Sequence, residues 1–86
     1  MKSARTGLFK RDYKKLPEKI KKRADKSLYH LATNPSHPSL RMKKIKSMGN
    51  IWEARITKKY RFSFQIINDT YVLRRIGKHD KVLKKT

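Results

Sequence analysis

The sequence predicts an α+β fold in which two N-terminal helices pack on one face of a small, twisted, mainly antiparallel sheet. Apolar residues recur every three or four positions up to Leu31, and they alternate with polar ones from Trp52 to Ile66. Asn34, Pro35 and Pro38 separate the two regimes, so helices come first and strands follow. Eighty-six residues give room for one modest core, and residues 1–86 are read as a single domain.

Phe9, Tyr13 and Leu16 fall at i, i+4 and i+7, with Lys10, Arg11, Lys14 and Lys15 on the other side, which describes a short amphipathic helix. Pro17 suits the first position of a second helix, and Glu18 complements the positive helix end. Ile20, Ala24, Leu28 and Leu31 carry that helix to Asn34, which is expected to take a left-handed cap conformation. Residues 34–39 then form a loop. Leu40 to Lys46 is a weaker strand whose imperfect alternation requires a bulge or an edge position.

Trp52, Ala54 and Ile56 alternate with Glu53, Arg55 and Thr57, and Tyr60, Phe62, Phe64 and Ile66 alternate with Arg61, Ser63 and Gln65. Lys58 and Lys59 read as the turn between two antiparallel strands whose polar residues share one face. Asn68 and Asp69 supply the next turn, because both tolerate positive φ, and Tyr71 to Ile76 forms a last strand ending at Gly77. Lys2 to Thr6 contains little that favours strand pairing, and the tail from Lys81 to Thr86 is expected to fray.

The chain has 25 Lys plus Arg against 6 Asp plus Glu, a formal net charge of +19. Such a charge favours a polyanion whose counterions are released on binding, and nucleic acid fits best. A membrane surface competes poorly, because no basic stretch carries the broad apolar face of an interfacial helix. Met1 to Phe9 has no long apolar run, so a cytoplasmic protein with neither a secretory signal nor a membrane span is expected. Without cysteine, disulfides and thiolate zinc sites are ruled out, and His30, His37 and His79 are too scattered to suggest a metal set. No cofactor is expected.

The run from Phe9 to Pro17, Asn34-Pro35 with His37-Pro38-Ser39-Leu40, Trp52-Glu53-Ala54-Arg55-Ile56, Tyr60-Arg61-Phe62, and Ile76-Gly77-Lys78-His79-Asp80 together resemble the RelE/ParE superfamily of toxins from type II toxin-antitoxin systems. Their specificity lies in joint order and spacing over about residues 9 to 83. The RelE branch implies a metal-independent endoribonuclease, an mRNA interferase. Its basic face enters the ribosomal A site, against rRNA, and promotes attack of an mRNA 2′-hydroxyl on the adjacent phosphate. The resemblance also implies a cognate antitoxin protein as partner.

Arg61 is the candidate cation for the phosphorane, since it lies on the polar strand face and offers a planar fork to phosphate oxygens. Its bland alternative is a surface ion pair with Glu53. His79 follows Gly77 and Lys78 at a strand end, and its reference pKa near 6.5 suits proton transfer. Alone it would read as a solvated residue, and the resemblance assigns it the site. Glu53 and Arg55 occupy positions of polar site residues in RelE-type toxins, with Glu53 either a base for the 2′-hydroxyl or a solvated carboxylate. Lys78 adds charge near the phosphate. Lys43, Lys44, Lys46, Arg74 and Arg75 are candidate RNA phosphate contacts, weighed against a merely solvated charged face. The sequence departs from several relatives in having Val82 and Leu83 where a Tyr commonly stands.

Three readings stay open: an mRNA endonuclease, a ParE-like inhibitor of DNA gyrase on the same fold, and a non-enzymatic basic RNA-binding protein.

Overall fold

The computed structural model describes residues 2–45 and 49–85. In chain order these form β1 (Lys2–Arg5), α1 (Gly7–Lys14), α2 (Glu18–Thr33), a 3-10 turn (Pro38–Leu40), β2 (Lys43–Lys44), β3 (Trp52–Arg55), β4 (Tyr60–Ile67), β5 (Thr70–Lys78) and α3 (His79–Lys85). The strands make one sheet in the order β1-β5-β4-β3-β2, with β1 parallel to β5 and the other pairs antiparallel.

The helical stripe and the inward strand residues meet as expected. Phe9, Leu16, Ala24 and Leu31 pack with Ala54, Phe62, Phe64, Leu73 and Ile76 in one buried cluster. Full burial of each large apolar side chain contributes roughly 1.5–3 kcal/mol. Phe64 meets Tyr71 edge to face at 5.5 Å, a favoured aromatic geometry. Tyr13 donates its hydroxyl to Asp25 at 2.6 Å, linking α1 to α2. The Asn68-Asp69 turn has φ of 46° and 63°, as its residue types predict.

Several expectations are corrected. Lys2–Arg5 does form a strand, although all four residues are exposed; main-chain pairing to the edge of β5, from Lys2 opposite Thr70 to Arg5 opposite Leu73, carries it. Arg5 also lies 5.5 Å from the Phe9 ring and 5.4 Å from that of Tyr13. Pro17 is the N-cap of α2, one residue before its first turn. Asn34 has φ −151° and ψ 77°, outside the left-handed region, because its carbonyl is turned to accept from His37 N at 2.9 Å. The left-handed residue of this connection is Arg41, which closes the 3-10 turn. Of the tail, residues 81–85 are helical, since α3 buries Val82 and packs against β4 and β5, and Thr86 lies outside the described residues.

Beyond Leu73, where β1 ends, α1 takes over the edge of β5. Thr6 caps α1 by accepting from Phe9 N at 3.1 Å and donates its hydroxyl to Arg74 O at 3.0 Å. Asp12 accepts the Ile76 N–H at 3.3 Å, and Arg75 grips the same carboxylate from Nε at 2.7 Å and Nη2 at 3.1 Å. Lys81 of α3 stands 3.8 Å from Asp12 Oδ1. One buried carboxylate therefore joins α1, β5 and α3.

Candidate active site

The register of β3 on β4 decides which polar side chains meet. Glu53 pairs with Ser63 and Arg55 with Arg61, so Glu53, Arg55 and Arg61 stand on one pleat face. β2 places Lys43 opposite Glu53. The chain turns into α3 immediately after β5, and the His79 N–H donates to Lys59 O at 2.9 Å, fixing the start of α3 beside the β3–β4 connection.

These constraints converge on one oxygen. Glu53 Oε1 lies 3.5 Å from Arg61 Nε, 3.6 Å from His79 Nε2 and 3.9 Å from Lys43 Nζ. Arg61 and His79 thus meet at a single carboxylate. The Glu53 side chain is 3% exposed, whereas that of His79 is 37% exposed. Glu53 is not the solvated carboxylate weighed for it, and the ion pair with Glu53 weighed for Arg61 does form, but buried and not at the surface. Burial also keeps it from reaching a substrate. With Nε2 turned to the carboxylate, the Nδ1 edge of the imidazole is left for a ligand.

Arg61 is held from a second side. Its Nη1 donates to the carbonyls of Thr57, of Lys58 at 3.1 Å and of Tyr60 at 3.0 Å. Burial lowers the Arg61 pKa from its ordinary value; Glu53 opposes this, while Arg55 and Arg41 add to it. The guanidinium stays charged and becomes rigid, as electrostatic stabilisation of an anion requires.

The other expected residues divide. Arg55 joins Arg23, Ser39, Arg41, Lys58 and Lys59 around a groove of about 620 Å³. Lys78 pairs with Tyr60 and so stands on the pleat opposite Arg61, but it lines a smaller cavity with Lys59, His79 and Asp80. Lys44 is opposite Trp52, away from the Glu53 face. Arg75, expected on phosphate, is turned to Asp12, and Arg74 donates to Gln65 Oε1 at 3.0 Å, beside a register shift between Ser63 and Phe64. Lys46 lies outside the described residues.

Arg23, Arg41, Lys58 and Lys59 were not anticipated as site residues. Lys58-Lys59 carried a signal, two cations in the connection between the strands that hold the polar face. Arg41 carried none, since its placement depends on a left-handed backbone. Among the described residues, no three His, Asp or Glu side chains gather as a metal-binding group, and no helix is long and apolar enough to cross a membrane.

Comparison with known proteins agrees with the fold. No curated protein sequence matches. Among solved structures, the RelE toxin in the RelB-RelE antitoxin-toxin complex of Methanococcus jannaschii is similar, with 25% identity, a TM-score of 0.75, and 93% of this chain and 94% of that one covered. The YoeB/ParE toxin of Agrobacterium tumefaciens shares the fold at 18% identity and a TM-score of 0.77, covering 92% and 99%. YafQ of E. coli does so at 14% identity and 0.78, covering 92% and 93%. The sequence model of the ParE toxin of the type II toxin-antitoxin system parDE matches residues 5–83. The chain therefore belongs to the ParE toxin family of type II toxin-antitoxin systems, within the RelE/ParE superfamily.

Proposed function

We propose that this toxin is a ribosome-dependent mRNA endonuclease of the RelE kind. The observation that carries the reading is the meeting of His79 and Arg61 on buried Glu53. In the proposed reaction the 2′-oxygen bonds to phosphorus, the P–O5′ bond breaks, and a 2′,3′-cyclic phosphate and a free 5′-hydroxyl result. His79 accepts the 2′ proton and returns one to the 5′ oxygen, Arg61 faces the charge on the phosphorane, and Glu53 orients both. Lys43 supplies an exposed cation at the rim, its side chain being 64% exposed. Side chains fill every role, so the scheme needs no metal.

The partner that silences the toxin is an antitoxin, by analogy with RelB on RelE and with DinJ on YafQ in the E. coli DinJ-YafQ complex. An acidic antitoxin surface suits a chain of charge +19 and gains a fast association rate.

The test is cleavage of mRNA on programmed ribosomes. Wild type is expected to cut and His79→Ala to lose about 10²–10⁴-fold in rate while remaining folded. Full cleavage by both His79→Ala and Arg61→Ala would overturn the assignment. The match to the ParE family favours a second reading, inhibition of DNA gyrase. A supercoiling assay decides: inhibition there, with no cleavage on ribosomes, replaces the first reading with the second.

A further inference from the structure

Beyond the Arg61 side of the Glu53 face, the molecule gathers like charges with no acid among the described lining residues. Arg23 of α2, Arg41 after the 3-10 turn, Arg55 of β3, and Lys58 and Lys59 between β3 and β4 line one groove. Four segments contribute, so this is not the solvated face of a single helix. Packing such charges together costs free energy that an anion relieves. Arg41 holds φ 43° and ψ 49°, a conformation that a non-glycine residue keeps only when its surroundings impose it.

The groove continues along α2 into a neighbouring hollow that shares Arg23 and Ser39 and is lined by His30 and His37. Their rings stack with centroids 3.9 Å apart and 18° between planes. His37 is held in place because its Nδ1 accepts from Ser39 N at 3.1 Å. Tyr29, 65% exposed, lies 6.2 Å from the His30 ring. Flat rings beside a row of cations match the two halves of an unpaired nucleotide.

We propose that this face is a second RNA subsite, adjoining the Glu53 centre on its Arg61 side, which grips the backbone of single-stranded RNA in the arginine groove and stacks a base on the His30–His37–Tyr29 cluster. The inference rests on the reading that the toxin works on RNA. Lys59 borders both this groove and the cavity beside His79, so a strand held here runs on toward the reactive centre.

The test is fluorescence anisotropy with a labelled 2′-O-methyl RNA octamer, which lacks the attacking hydroxyl and separates binding from cleavage. Arg23→Gln/Arg41→Gln is expected to weaken binding at least tenfold and to flatten log Kd against log[salt] by about 1.4, roughly 0.7 per lost phosphate contact on a single strand. Lys10→Gln/Lys14→Gln, an equal charge loss on α1, is expected to change affinity less than threefold. His37→Ala should cost about tenfold with little change in salt slope, the mark of lost stacking. Equal losses in the two charge doubles, or equal affinity for a duplex of the same composition, would overturn the site. Intact binding by Arg23→Gln/Arg41→Gln would overturn it even if His79→Ala abolished cleavage. Specific binding without cleavage by wild type would reject the nuclease reading and leave the site standing.

Discussion

Two buried carboxylates organise this small basic protein, and they are built differently. Asp12 is saturated: Arg75 reaches it at 2.7 and 3.1 Å, Ile76 N at 3.3 Å and Lys81 at 3.8 Å. Glu53 is crowded but loosely held, with Arg61, Lys43 and the His79 imidazole at 3.5 to 3.9 Å from one oxygen and Oε2 buried without a hydrogen-bond partner among the described residues. Asp12 uses up its arginine fork and fastens α1, β5 and α3. Glu53 aligns these groups without exhausting them, which leaves the Nδ1 edge of the imidazole and part of the guanidinium for a ligand. A short chain can thus separate holding from acting, although each task uses a carboxylate under cations.

The sharpest way to break that contrast is to remove Asp12. Asp12→Ala leaves Arg75 uncompensated and Ile76 N–H without its acceptor, and is expected to cost about 3–5 kcal/mol. At about 4–8 °C per kcal/mol for a domain of this size, the melting temperature should fall by well over 10 °C. A loss below about 1 kcal/mol would show that the node does not hold the three elements.

Arg61→Ala is the counterpart at the other node. Its removal should lower cleavage on programmed ribosomes about 10²–10³-fold. The stability loss should be smaller than that of Asp12→Ala, measured by urea denaturation. If Arg61→Ala unfolds the protein as Asp12→Ala does, the division of labour fails.

Glu53→Gln keeps volume and deletes charge. We expect a destabilisation of about 1–3 kcal/mol, because the surrounding cations lose their common partner. Cleavage should drop by less than in His79→Ala, since Glu53 positions and does not touch RNA. A deeper loss than His79→Ala would make Glu53 the base itself.

The smallest effect concerns acid, and it must be subtracted before acid sensitivity is assigned to either carboxylate. Burial, then His37 and Lys26, lower the His30 pKa in the folded protein. The unfolded chain therefore binds the proton first, near the reference value of about 6.5, and stability falls as the pH drops through that value. Above it, the shift contributes nothing. Thermal melts of wild type and His30→Asn between pH 7.5 and 5.5 check this, with the gap between them expected to narrow as the pH falls.

Much of the fold was legible because it rests on periodicity. Phe9, Ala24, Leu31, Phe62 and Phe64 were marked as inward by spacing alone, and all are buried. The strand β1 read as poor because its four side chains are exposed and its pairing is main-chain only. The tail was underestimated for a related reason, since burial of Val82 against β4 and β5 appears only once the sheet exists. Within the site, alternation placed Glu53, Arg55 and Arg61 on one face, and the resemblance singled out His79. The pairing of Arg75 with Asp12 was not legible, because nothing local shows that Asp12, far away in sequence, faces it.

By itself, the sequence determined the class of fold, the nucleic-acid bias of a chain charged to +19 and the pleat on which Glu53 and Arg61 lie. These follow from hydrophobic period and composition, which are local or summed quantities. Tertiary structure decided which basic side chains are spent and which are spared: Arg75 on Asp12, Arg61 and His79 around Glu53, Arg23 and Arg41 in a groove with no acid among its described lining residues. The physical reason is that a charge's role depends on its neighbours within a few ångströms, and in a chain with 25 basic residues those neighbours are chosen by folding.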